Sequence, residues 1–354
     1  MTRVSAIEYL NVRIRYFHSL LFSQSMYEDF LAGDNLGALT TFFLNQPGYS
    51  DDIGGALENV PEREGLESGV TSHFARCIKK SIGMAGGPYQ KLFETALFPF
   101  DIRNVKVLLM ARARGLTTQQ TLNMLVPCCS MPAEKLEEIL RTDDTAHIIA
   151  MISRHLPFGK DALNEVFHGE KRNRPLIADL NLIERKSYSG LLNYLDKSDG
   201  DRKVLRDIIR YEVDLKNIKT ALKAVWKGEP LLQRANEALI SGGFINSNFL
   251  TELTKAKGLD EAFEMIESTH FHPAVEKGII YYAETGFLHE MERFFDEVFY
   301  RKVLSYRRND PFGVGIFLGY VWGKYVELTN LRMIIDGIAF KLGPAQIRKG
   351  LIYV

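Results

Sequence analysis

Few stretches of this sequence place reactive residue types at a spacing that could do chemistry. Gly313, Gly315 and Gly319 in DPFGVGIFLG, with Asp336 further on, approximate a dinucleotide fingerprint. In that motif glycines let a helix N-terminus approach a pyrophosphate. The motif needs a strand before it, whereas EMERFFDEVFYRKVLSYRRND reads as a charged amphipathic helix. The glycines are therefore expected to open a tightly packed helix. His270 and His272, in HFHP, could offer imidazoles to a metal, yet no third ligand stands at a recognisable spacing. They are expected at a loop or helix end. Carboxylate pairs at 51–52, 137–138 and 143–144 are the residue types of acid–base catalysis and are expected on solvated faces. No phosphate loop, Gly-x-Ser-x-Gly or His-Glu-x-x-His occurs. The expectation is a chain with no catalytic residue, no metal site and no cofactor.

Composition narrows the class further. The 44 basic residues balance 44 acidic ones, which speaks against coating nucleic acid. An apolar fraction of 46% and a charged fraction of 25% are those of a folded, soluble protein. Cys77, Cys128 and Cys129 form no metal spacing, and adjacent Cys128 and Cys129 are poorly placed for a disulfide, so a reduced cytoplasmic setting is expected. Arg13 and Arg15 interrupt any apolar core of a signal peptide. The longest largely apolar run, residues 311–323, is shorter than the roughly 20 residues that span a bilayer.

The elements that would position any site are repeated. Asp101, Asn104 and Lys106, then Asp214, Asn217 and Lys219, then Glu327, Asn330 and Arg332 each follow the pattern acid-x-x-Asn-apolar-basic. The asparagines stand 113 residues apart at both steps. A glycine follows eleven residues after the first two, at Gly115 and Gly228, where the third copy has Lys341. A second marker lies upstream of each: MYEDFLAGDNLGALTTFF from 26, KLEEILRTDDTAHIIAMI from 135 and FLTELTKAKGLDEAFEMI from 249, each read as one helix. Such a period is longer than the common solenoid repeats. Tyr211, Leu215, Ile218, Leu222 and Val225 step by four and three, as do Leu328, Leu331, Ile335, Ile338 and Leu342, so each signature rides a helical seam. The acid and Asn fall on the shoulder of that seam, where an unpaired Asn would be costly. A structural role is expected for them. SGGF (241–244) and GMAGGP (83–88) read as loops. The fold class is all-α, in three similar domains at 1–125, 126–239 and 240–354.

Over nearly its whole length the chain resembles the C subunits of the V-type (A-type) ATPases/ATP synthases, which are similar to the eukaryotic d subunit. The resemblance is carried by YLNVRIRYFHSLLFSQSMYEDFL, FDIRNVKVLLMARARGL, KSYSGLLNYLDKSDGDRKVLRDIIRYEVDLKNIKTAL and NDPFGVGIFLGYVWGKYVELTNLRMI. It implies a funnel-shaped socket of three pseudo-threefold-related domains, peripheral on the cytoplasmic face of the membrane. Its partners would be the central rotor shaft and the membrane proteolipid ring, within a large hetero-oligomeric complex. The protein would be non-catalytic and would transmit torque for coupled ATP turnover and proton or sodium transport. Arg112, Arg114, Lys223 and Lys227, which follow the first two signatures, are the candidates to meet acidic groups on a shaft. Two other readings stay open: an α-helical repeat scaffold for another protein partner, and a nucleotide-linked enzyme working through GVGIFLG.

Overall fold

The computed structural model describes residues 6–33, 35–58, 60–128, 130–168, 175–196, 200–228 and 231–354. Among these the chain is all-α, with an isolated bridge between Cys128 and Met131 and no strand. Cys77 and Cys128 are free thiols, and Cys129 lies outside the described residues.

The helices run in order as α1 (Ala6–Ser19), α2 (Gln24–Ala32), α3 (Leu36–Asn45), α4 (Ser50–Leu57) and α5 (Glu62–Gly83). Next come α6 (Pro88–Ala96), α7 (Phe98–Ala113), α8 (Thr118–Met124), α9 (Ala133–Arg141) and α10 (Thr145–His155). The middle of the chain holds α11 (Lys160–His168), α12 (Leu176–Asp196), α13 (Asp201–Lys227), α14 (Leu231–Ala238) and α15 (Ser247–Leu253). The last are α16 (Leu259–Glu267), α17 (His272–Thr285), α18 (Leu288–Asn309), α19 (Gly315–Ala339) and α20 (Pro344–Gly350). The chain divides into two compact units, Met1–Asp143 with Leu304–Val354, and Asp144–Val303.

In the first unit α19 is the buried axis, packed by α1, α3, α5 and α6. It is apolar nearly all round, as a helix covered on every side must be. Phe22, Phe30, Phe43 and Tyr49 form one aromatic cluster, and Phe93 stacks on Phe317 with ring centroids 3.5 Å apart. In the second unit α13 packs on α12, α14, α15 and α16. Buried Tyr188 of α12 donates its hydroxyl to Glu212 of α13 at 2.6 Å.

Each upstream marker is two helices and not one. The breaks fall at α2/α3, α9/α10 and α15/α16. Local chemistry makes two of the breaks: the side chains of Asn35 and Asp144 accept from the Ala38 and Ala146 amides, capping α3 and α10. The aligned apolar positions survive the break. Tyr27, Leu136 and Leu250, then Phe30, Ile139 and Leu253, then Leu39, Ile148 and Ala262 are all buried.

The glycines of residues 313–319 open α19 behind a helix, α18, as their context implied. A Cβ on Gly315 would lie 2.6 Å from the Tyr306 carbonyl oxygen, so the residue serves close packing. SGGF and most of GMAGGP lie outside helices. Leu342 departs from its expected seam: it lies beyond the end of α19 and is exposed.

The three positions eleven residues past each signature Asn share a positive φ. Gly115 and Gly228 have φ of 65°, and Lys341 has φ of 57°, the only positive φ of a non-glycine among the described residues. The Leu116 and Leu342 amides reach back to the carbonyls of Ala111 and Gly337, the bond that closes a helix through a left-handed residue. A Cβ in that conformation costs about 1–2 kcal/mol. Lys341→Gly is therefore expected to stabilise the protein by about 1 kcal/mol, read as a higher urea midpoint.

Candidate functional site

Each signature Asn clamps one residue of a non-helical segment by both of its backbone groups. Asn104 donates Nδ2 to the Val126 carbonyl at 2.8 Å and accepts the Val126 amide on Oδ1 at 2.9 Å. Asn217 does the same to Ile240, at 2.8 Å for both bonds. Asn330 does it to Ile352, at 2.9 Å for both. All six side-chain and backbone partners are buried. The clamped residues sit just after α8, α14 and α20, where no helix can satisfy their backbone groups. Only a primary amide offers a donor and an acceptor side by side on so short a stem. The sequence puts Asp214 and Asn217 on the shoulder of the seam. In the structure they are fully buried, because the clamped segment covers that shoulder.

The acids hold the approach to the next helix pair. Asp214 accepts from the amides of Phe244 at 2.9 Å and Ile245 at 3.1 Å, just before α15. Asp101 hydrogen-bonds to Ser130, shortly before α9. Glu327 accepts the Phe22 amide at 2.8 Å, just before α2, and the Tyr49 hydroxyl at 2.5 Å, and pairs with Lys324. A Cβ on Gly243 would collide with the Asp214 carboxylate, so the residue before Phe244 carries no side chain.

Burial shifts the pKa of Asp101 and Asp214. It lifts Asp101 to about 8, against a weaker pull down from Ser130. It lifts Asp214 to about 6, opposed by the two amides that it accepts. The basic members diverge. Lys219 pairs with Asp296 at 2.5 Å. Arg332 donates to Thr71 at 2.7 Å and to the Leu125 carbonyl at 2.8 Å, with burial drawing its pKa down to about 10. Lys106 is half-buried.

The four candidate shaft-facing cations separate into two kinds. Arg112 donates to the carbonyls of Thr142, at 3.1 Å, and Asp143, and Lys223 pairs with Glu292 at 3.0 Å. Arg114 and Lys227 are exposed, Lys227 lying over the Trp226 ring. His270 sits edge-on to Tyr211 near Asp214, and His272 opens α17 beside Glu276. No group of residues that could hold a metal occurs among the described residues.

Sequence reasoning missed one constellation. Asp52, expected on a solvated face, accepts from His73 and Arg76, and His73 reaches Cys77 one turn along α5. The i, i+4 spacing of His73 and Cys77 was the available signal; their link to Asp52 comes from the packing of α4 on α5.

The profile of the ATP synthase (C/AC39) subunit family matches residues 10–350. The chain belongs to that family. Among family relatives, it is 22% identical over 344 residues to the A-type ATP synthase C subunit of Methanocaldococcus jannaschii, covering 97% of this chain and 86% of the relative. It is 23% identical over 327 residues to the A-type ATP synthase C subunit of Methanothermobacter thermautotrophicus, covering 92% and 82%. The protein of the same name from Thermoplasma acidophilum is 23% identical over 352 residues, covering 96% of each chain. Among the described residues no helix is long and apolar enough to cross a membrane.

Two outcomes follow from the geometry. Asn217→Ala leaves the buried N–H and C=O of Ile240 unpaired, and unpaired groups cost about 1–3 kcal/mol each. A loss of about 2–6 kcal/mol is expected in chemical denaturation. Asp101 binds its proton more tightly folded than unfolded, where its pKa is 3.8. Its contribution is complete below pH 4 and declines as pH rises through about 8. Asp101→Asn, which mimics the neutral acid, should flatten the fall in urea midpoint between pH 5 and 8.5.

Proposed function

We propose that the chain is a non-catalytic central-stalk component of a V/A-type rotary ATPase/ATP synthase. In this reading it joins the rotor shaft to the membrane proteolipid ring and transmits torque between ATP turnover and proton or sodium transport. The observation that carries the reading is family membership across residues 10–350. The three repeats, at 1–125, 126–239 and 240–354, form the socket that holds the shaft, and the protein rests peripherally on the cytoplasmic face. The contacts support a mechanical role. Each signature asparagine is spent on holding backbone, and dense helical packing transmits force with little compression. Arg114 and Lys227, exposed after the first two signatures, are the cations of that set free to meet an acidic shaft.

Membrane vesicles that carry the remaining subunits of the complex without this chain test the reading. They are expected to hydrolyse ATP without acidifying or loading sodium, and adding the purified chain back should restore pumping. Unimpaired pumping by the depleted vesicles contradicts the proposal.

A further inference from the structure

The first unit contains a cavity of about 130 Å³ that no signature residue lines. Phe17 of α1 and Leu20 just beyond its end form one wall, residues 46–49 a second, and α5 and α19 the rest. Cys77 is on its surface and partly exposed.

The thiol is set in a relay. Cys77 Sγ lies 3.4 Å from His73 Nε2, and His73 Nδ1 lies 3.0 Å from Asp52 Oδ2. Arg76 Nη2 approaches Nδ1 at 3.2 Å, but its two hydrogens go to Asp52 Oδ2 and the Gly48 carbonyl. Nδ1 therefore carries the proton donated to Asp52, and the Nε2 lone pair faces the thiol. Tyr49 stacks on the imidazole with centroids 3.6 Å apart and fixes its plane. From α19, the Tyr320 hydroxyl bonds the sulfur and Lys324, itself paired with Glu327, adds positive charge. Burial works to raise the Cys77 pKa, yet the His73 hydrogen bond and the Lys324 charge hold it below its ordinary value. Arg76 and Lys80 are exposed on α5 and also line the cavity, and no carboxylate lines it.

We propose that Cys77 is a modification site, reversibly S-thiolated by low-molecular-weight disulfides that carry carboxylates. Cys77 passes its proton to His73 Nε2, and the thiolate attacks one sulfur of the disulfide RS–SR. The Cys77–S–SR bond forms as the old S–S bond breaks, and the departing RS⁻ takes the proton from His73. Cys77 is oxidised and the released half is reduced, so no other oxidant is required. The carboxylates meet Arg76 and Lys80, and a second thiol reverses the step by the same exchange. The adduct lies against Tyr49 and Lys324, both bound to Glu327, which connects modification to the third signature.

The test uses the full chain with Cys128→Ser and Cys129→Ser, leaving Cys77 as its only thiol. Adduct formation with oxidised glutathione, and with the dication cystamine, is followed by intact mass at several pH values. Relative to the urea-unfolded chain, the folded chain should react about tenfold faster or more with oxidised glutathione and gain less with cystamine. Lys80→Glu, an exposed change, should slow the glutathione reaction and speed that of cystamine. His73→Gln should slow both and move the pH midpoint of the rate toward that of an ordinary thiol. A folded chain no faster than the unfolded one, or a Lys80→Glu variant with unchanged disulfide preference, overturns the proposal.

Discussion

One interaction recurs where the chain leaves regular structure: a buried asparagine amide that closes on the N–H and C=O of a single residue. A backbone segment after a helix has polar groups that no helix satisfies, and burying them unpaired costs about 1–3 kcal/mol each. Asn104, Asn217 and Asn330 remove that cost at Val126, Ile240 and Ile352. The clamp also sets register, since a slip of one residue would present the wrong pair of groups. Asp has no donor for the carbonyl, and a longer amide would add a torsion to freeze on burial.

Around this clamp the acids extend the same logic. Asp101, Asp214 and Glu327 hold the chain shortly before α9, α15 and α2, so each signature binds both the end of its own segment and the start of a helix pair. The third signature reaches back to Phe22, close to the start of the chain. The basic positions are freer. Lys219 makes a half-exposed ion pair, whereas half-buried Arg332 reaches a carbonyl next to the first clamp. Where backbone geometry dictates the contact, the residue recurs; where a long side chain can choose among partners, it varies.

The all-α class and, up to Leu342, the helical seams were legible in spacing alone, because period is a local property. The strict 113-residue step also located all three clamps. Their partners were not legible. Nothing in the type of Val126, Ile240 or Ile352 marks it as held by an amide 22 or 23 residues earlier. Reading the upstream markers as single helices failed for a local reason, since Asn35 and Asp144 act as caps inside apolar patterns that continue across the break. Asp52 defeated sequence reasoning differently. Acidic pairs near a helix start are usually solvated, and only the packing of α4 on α5 turns this one toward His73.

The most direct test of the clamp is native-state hydrogen exchange at the amides of Val126, Ile240 and Ile352. These non-helical amides should exchange among the slowest in the protein, through opening of the surrounding structure, and Asn217→Ala should free Ile240 far more than the other two. Exchange of all three at the rate of exposed loop amides in the unaltered protein would contradict the account.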